Sequence, residues 1–306
     1  MELNKSSRLY IFLKKVYEKT LGLWPLKMIF VKYIGFYNGK RRITLQTISR
    51  ANEIIAKKLD SKKPFMLARF GSVEFRNLFS KKNFDTLCNN AGFFPHDITL
   101  MENFRKVYFE ASRNIDILAA WNYLNHFRNK VKLMRNLTSL EYIIPLCVAG
   151  GGYYSWIEKL KNKKILVIHP FKKTIEKQMK KREKLGILPK VKSLEIIKSV
   201  QTQGGTKDDR FKNWFDALEY MKREIDKKKF DVALIGCGAY GLPLASYVKK
   251  KGKQAIHLGG GLQLLFGIRG KRWDNSSEIK YTKDWVSPMK EDVIENYKKV
   301  EGGCYW

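Results

Sequence analysis

The feature that most constrains the fold is a pair of apolar runs that each break into glycines. Asp231-Val-Ala-Leu-Ile-Gly-Cys-Gly-Ala-Tyr-Gly241 carries the run Val232 to Ile235 ahead of its glycines, and Gln254 to Leu258 stands in the same way before Gly259-Gly-Gly-Leu-Gln263. A short apolar run bounded by turn residues reads as a buried strand, and the stretches that follow, Leu242 to Val248 and Leu262 to Phe266, have helical apolar spacing. Two successive strand–glycine–helix junctions put bare backbone N–H groups along one edge of a sheet. That edge is where α/β folds hold phosphorylated ligands.

The preceding residues alternate similarly. Helices are expected over Leu45–Leu59, Phe75–Phe79, His96–Asn114 (capped by Asp97 or Thr99), Tyr153–Leu160 and the Lys-rich Thr174–Leu185. Strands are expected at Phe65–Ala68, Ile117–Ala120, Tyr142–Leu146, Lys164–Ile168 and Leu194–Val200. Thr206, with Asp209 three residues on, predicts the start of a helix whose apolar face carries Phe211, Trp214, Phe215, Leu218, Met221 and Ile225. Strands alternating with helices imply an α/β fold built on a mostly parallel, Rossmann-like sheet flanked by helices. Residues 43–275 form that domain. Beyond Trp273 the pattern weakens, and 276–306 read as a C-terminal extension.

Residues 1–42 stand apart, with ten basic and two acidic residues and a Trp-, Phe- and Tyr-rich run from Leu21 to Tyr37. Lys27, Lys32 and Pro25 interrupt that run, so it falls short of the roughly 20 apolar residues of a membrane span. It suits a basic helical segment lying at a membrane interface, or equally a hairpin packed on the core. Met1 to Arg8 show no apolar core followed by small residues, so no secretory leader is read there. Cys88, Cys147, Cys237 and Cys304 form no CxxC pair, which argues against a zinc site or a disulfide framework and favours a reducing cytoplasm. The net charge of +31 favours anionic partners, but no helix-turn-helix, zinc-finger or RNP pattern accompanies it. Specific nucleic-acid binding is therefore not expected.

Ligands of a parallel sheet sit beyond the carboxyl ends of its strands, and four motifs fall at such ends. Arg69-Phe-Gly-Ser-Val-Glu74 offers a cation for a diphosphate and a carboxylate able to hold a metal or act as a base. His169-Pro-Phe171 offers an imidazole. Gly236-Cys-Gly-Ala-Tyr-Gly241 has the G-x-G-x-x-G form, but no Asp or Glu follows about 20 residues on to bind a ribose, which disfavours a dinucleotide oxidoreductase. Gly259–Gln263 is the fourth motif. Gly267-Ile-Arg-Gly-Lys-Arg-Trp273 adds cations and an indole.

Taken together these motifs resemble the GT-D-fold glycosyltransferases, a bacterial family whose domain was long catalogued as of unknown function. The match runs through Arg69–Glu74, Val167-Ile-His-Pro-Phe171, Trp214-Phe-Asp-Ala-Leu218, Gly236–Pro243, His257-Leu-Gly-Gly-Gly-Leu-Gln-Leu-Leu-Phe-Gly267 and Gly270-Lys-Arg-Trp273, covering roughly residues 45 to 275. The resemblance implies transfer of a sugar from a nucleotide-sugar, usually UDP-linked, to a growing glycan, glycoprotein or lipid-linked acceptor, as in capsule or O-antigen assembly. It implies inversion; the cysteine usage and the basic aromatic residues 1–42 add the expectation of an enzyme in the cytoplasm, peripheral at the inner face of the plasma membrane. Glu74 is then the catalytic residue and candidate metal ligand. Arg69, Gly71, Ser72, His169, Gly236, Gly238, Tyr240, Gly241, Gly259, Gly260, Gly261, Gln263, Arg269 and Lys271 are the candidate nucleotide-sugar contacts. The family's acidic motif is commonly Arg-Phe-Gly-Asp-x-Glu, and here Ser72 replaces its Asp. One carboxylate holds Mn²⁺ or Mg²⁺ less well than two, so either Glu74 works with a second acid, such as Glu102 or Asp116, or the ion is weakly held or absent. Ser72 also leaves open a non-catalytic scaffold that binds a nucleotide-sugar without turning it over.

Overall fold

The computed structural model describes residues 36–38, 41–43, 46–120, 136–139, 143, 156–276 and 279–306. Its centre is a seven-stranded sheet of β3 (Phe65–Ala68), β4 (Ile117–Ala120), β5 (Asn136–Ser139), β6 (Lys164–His169), β7 (Ser193–Lys198), β8 (Val232–Ile235) and β9 (Gln254–His257). The strand order is β5-β4-β3-β9-β8-β6-β7, and every neighbouring pair is parallel. A separate antiparallel pair, β1 (Phe36–Asn38) with β2 (Arg41–Ile43), lies in the segment expected to be helical. The remainder of that basic segment, and the strand expected at Tyr142–Leu146 apart from Ile143, lie outside the described residues.

The apolar runs are continuous because both faces of the sheet are covered, and successive side chains go to opposite layers. Met66, Ala68, Leu166, Ile168, Ala233 and Ile235 enter one core, while Phe65, Leu67, Ile165, Val167, Val232 and Leu234 enter the other. The first core packs against α2 (Ser72–Phe79), α3 (Phe84–Ala91), α4 (Met101–Ser112), α7 (Trp214–Asp226) and α8 (Gly241–Lys250). The second packs against α1 (Ile48–Asp60), α5 (Lys172–Met179) and the C-terminal residues.

Further expectations differ from what the chain forms: β5 was not expected, and the end of the helix expected over Tyr153–Leu160 is a 3₁₀ turn, Trp156–Leu160. The Lys-rich span is split into α5 and α6 (Arg182–Leu185), because seven cations and two acids over 172–184 give little side-chain support to one long helix. Helix α7 starts at Trp214 rather than near Thr206: Asn213 Oδ1 accepts the N–H groups of Phe215 at 2.9 Å and Asp216 at 3.0 Å. Helix α3 was not expected. Left-handed Gly92 closes it, with its N–H on the carbonyls of Cys88 and Leu87.

The tail is fastened to this domain. Asp292, 1% exposed, accepts the backbone N–H of Thr174 and its hydroxyl, each at 2.7 Å, and the N–H of Lys173 at 3.3 Å. A carboxylate more than a hundred residues downstream thus caps α5, where the helix dipole favours a negative charge. Asp292→Ala leaves these donors buried and unpaired. It is expected to lower unfolding free energy by about 2 kcal/mol, measured by urea denaturation.

Candidate functional site

The carboxyl ends of β3, β6, β8 and β9 open into one cavity of about 110 Å³. Neighbouring β6 and β8 feed helices on opposite sides, since the chain runs from β6 outward to β7 and from β8 inward to β9. Such a reversal leaves a crevice at the sheet edge. All four motifs singled out in the sequence reach this cavity: Arg69, Gly71, Ser72 and Glu74 after β3, His169 after β6, Gly236 and Gly238 after β8, and Gly259, Gly260 and Gln263 after β9.

Close packing explains most of the glycines. A Cβ on Gly259 would strike the Arg69 guanidinium, and one on Gly241 would strike the His257 imidazole. A Cβ on Gly236 would meet the Gly259 carbonyl, and one on Gly260 the Tyr305 ring. Gly259 also has φ 62°, a conformation that penalises any side chain. Bare backbone here admits neighbouring protein groups as well as any ligand.

Burial sets the protonation of the site. Desolvation pushes the Glu74 carboxyl above its usual range, and the charge of Glu301 pushes the same way; its own backbone N–H and Arg69 pull against it. Burial drives His169 down to about 3. Its Nδ1 accepts the Phe171 N–H at 3.0 Å, so the neutral ring carries its proton on Nε2. His257 also falls to about 3, through burial first and then the charge of Arg69, against a hydrogen bond to the Arg69 backbone. Both imidazoles are neutral, and neither serves as a phosphate-binding cation. Tyr108, buried beside Glu74, donates its hydroxyl to the Ala239 carbonyl at 2.6 Å and so joins α4 to the turn after β8.

Five of the candidate contacts lie elsewhere. Tyr240 is buried in the core, its ring stacked on Trp214 at 5.3 Å. Gly241 accommodates His257 instead of a ligand. Gly261 is outside the cavity lining, with open space where a Cβ would stand. Arg269 is exposed and lies over the Tyr281 ring at 4.7 Å, and Lys271 is exposed as well. The cation that this segment supplies to the cavity is Arg272, paired with Glu301 and lying 4.5 Å over the Tyr305 ring. Neither acid suggested as a partner for Glu74 reaches the cavity. Glu102 pairs with Arg105 at 2.6 Å, and Asp116 pairs with Lys249 at the amino edge of the sheet. The carboxylate that does approach Glu74 is Glu301.

Glu301, with Val300, Tyr305 and Trp306, comes from the segment read as an extension, so that segment forms a wall of the site. Gln263 ties it down, donating to the carbonyls of Arg269 at 2.8 Å and Tyr305 at 3.0 Å. Gln201, Gln203 and Asn90 also line the cavity. The run Glu301-Gly-Gly-Cys-Tyr-Trp306, a charge and two aromatics around paired glycines, was the available signal for this wall; Gly92 was the signal for α3 and hence for Asn90.

Among the described residues no group of three or more His, Cys, Asp and Glu side chains could hold a metal. A buried carboxyl set beside an arginine, with the nearby Glu301 carboxylate already paired to Arg272, is a poor donor set for Mn²⁺ or Mg²⁺. The donor set does not fit a resident ion.

No protein-family model and no curated protein matches the chain. It is similar to a solved structure described as domain of unknown function 1792, selenomethionine-substituted, at 13% identity and a TM-score of 0.42, over 80% of this chain and 94% of that one. It is similar to a second, described as the highly conserved domain of unknown function 1792 with a distinct glycosyltransferase fold, at 14% identity with the same TM-score and coverage.

A buried imidazole whose folded value lies below its unfolded value of about 6.5 favours folding least in acid. Stability is therefore lost as pH falls from about 6.5 toward about 3, with His169 and His257 each costing about 3 kcal/mol by pH 4.5. Glu74, shifted upward, acts in the opposite sense: its contribution is present below the ordinary carboxyl value and fades as pH rises. Urea unfolding near neutral pH and near pH 4.5 is expected to show a smaller acid loss in His257→Asn and His169→Gln than in the parent. An unchanged loss in both variants would count against neutral buried rings.

Proposed function

We propose that the chain is a glycosyltransferase that moves a sugar from a nucleotide-sugar, UDP-linked by preference, to a hydroxyl of a growing glycan. The observation that carries this reading is the meeting of Glu74, Arg69 and neutral His169 in one cavity at the carboxyl edge of a parallel sheet. The motif resemblance supplies the sugar. The cavity of about 110 Å³ is well below the roughly 300 Å³ of pockets that take a whole drug-sized ligand, so it has room for the diphosphate, with the sugar and nucleoside toward its mouth.

In the reaction, Glu74 takes the proton of the acceptor hydroxyl as that oxygen attacks the anomeric carbon from the face opposite the leaving group. The bond from the anomeric carbon to the diphosphate oxygen breaks, and the nucleoside diphosphate departs with the electron pair. Arg69, Arg272 and the Nε2–H of His169 meet the charge that grows on it. Inversion follows from a single displacement. A carboxyl raised by burial is the stronger base for this step. No step is routed through a metal. A peripheral position at the inner face of a plasma membrane, held by residues 1–42, completes the reading; among the described residues no helix is long and apolar enough to cross a membrane.

Ser72 favours a second reading, binding of the nucleotide-sugar without turnover. A donor screen separates the two: the chain is mixed with UDP-, GDP-, CMP- and dTDP-sugars plus a glycan acceptor, in Mn²⁺ or in EDTA. We expect nucleotide release from one donor class, persisting in EDTA and falling by about 10²-fold or more in Glu74→Gln. Loss of activity in EDTA would overturn the metal-free site. Donor binding without release would select the second reading. The rate is also expected to fall as pH drops through the raised Glu74 value, because the base must be ionised; the histidines titrate too low to set that limb.

A further inference from the structure

Beside the first cavity lies a wider one, of about 460 Å³, at the carboxyl ends of β6 and β7. Gln201 belongs to both walls, and Lys172 of the second directly follows Phe171 of the first. We propose that this groove binds an anionic sugar chain and serves as the acceptor site. Its role as acceptor site rests on the transferase reading; its binding of an anionic chain does not.

Two features carry the assignment. The first is shape and position. A transferase needs a second substrate whose hydroxyl meets the donor, and a groove sharing a wall with the donor cavity delivers it there. Ile197, Val200, Ile294 and the Tyr220 ring give it apolar surface under a charged rim, which suits the C–H faces and hydroxyls of sugar rings.

The second is charge. Five basic side chains line the groove against three acidic ones. Of the acids, Asp208 is held by Arg210 in two hydrogen bonds of 2.8 and 2.6 Å, and Glu224 is taken by Lys227 from outside the groove. Of the bases, Lys228 pairs with Glu195 at 3.0 Å, and Lys198 reaches the Glu291 carbonyl at 3.0 Å with Asp292 3.8 Å away. Lys172 approaches Glu176 only at 3.8 Å, and exposed Lys207 has no ion pair among the described residues. The third acid, exposed Glu291, has no ion pair among the described residues, so Lys172 and Lys207 outnumber it two to one as the charges left for a ligand's carboxylate or phosphate groups.

The test uses the full chain and calorimetric titration with three probes: a hyaluronan tetrasaccharide (carboxylates), a phosphorylated pentamannose (phosphate) and neutral maltotetraose. Reversing both groove lysines, Lys172→Glu with Lys207→Glu, is compared with reversing two exposed lysines at the amino edge of the sheet, Lys57→Glu with Lys253→Glu. UDP affinity is followed in parallel. We expect one anionic probe to bind the parent and to weaken about tenfold in the groove variant, with less than about a twofold change in the control and in UDP affinity. The tighter of the two anionic probes identifies the anion. The proposal is overturned if neither anionic probe binds, if maltotetraose binds as tightly, or if the control weakens binding as much as the groove variant. It is overturned as well if an oligothymidylate binds through the same lysines more tightly than either sugar. Groove-dependent sugar binding by a chain that binds no nucleotide would uphold the site and sink the transferase reading instead.

Discussion

The close approach of Arg69 to the turn after β9 is the constraint on which the site depends. Arg69 leaves the end of β3, and β9 is its neighbour in the sheet, so the two strand ends compete for the same space. The conflict is resolved because Gly259 has no side chain to displace the guanidinium. From the other side, the His257 ring is hydrogen-bonded to the Arg69 backbone and needs the bare Gly241 to fit. The last glycine of the G-x-G-x-x-G motif therefore acts on the arginine at second hand, through a histidine. This packing gives the motif a purpose within the chain's own fold.

Around that contact the protein builds the site from elements far apart in the chain. Parallel register brings four strand ends to one edge, and the tail seals it, fixed at α5 by Asp292 and at the glycine turn by Gln263. Glu301 takes a left-handed backbone, φ 48°, in a turn completed by Gly302 and Gly303. A non-glycine residue in that conformation costs on the order of 1 kcal/mol and persists only where the surroundings hold it. Its ion pair with Arg272 does so, and it places a second carboxylate near Glu74.

The sheet and the convergence of four motifs were legible in the sequence because buried parallel strands are short apolar runs ending in glycine, a pattern that needs no knowledge of the partner strand. Contacts that cross long distances were not. Tyr240 looked available within a glycine loop, yet Trp214, on a helix earlier in the chain, takes its ring into the core. Arg269 and Lys271 looked like the phosphate-binding pair, but a short 3₁₀ turn over Lys271–Trp273 turns the neighbouring Arg272 inward and leaves both outside. Periodicity could not read residues 279–306, because the tail is held by hydrogen bonds and ring contacts rather than by a repeating apolar face.

Net charge was the least informative property for the chemistry. The chain carries +31, but the charged side chains lining the cavity at the strand ends are two arginines and two glutamates. The local balance therefore depends on Glu74. With its proton, the cavity is net positive and receives an anion; without it, the cavity is neutral. A diphosphate settling beside Glu74 adds negative charge in a low-dielectric space, which raises the carboxyl's proton affinity further. On the proposed transfer reading, donor binding and base strength are coupled through one buried group: a bound diphosphate would raise the proton affinity of the carboxyl proposed to take the acceptor's proton. Arg69 opposes this effect, since its charge lowers the carboxyl's proton affinity, and the Gly259 packing that fixes Arg69 fixes that balance too.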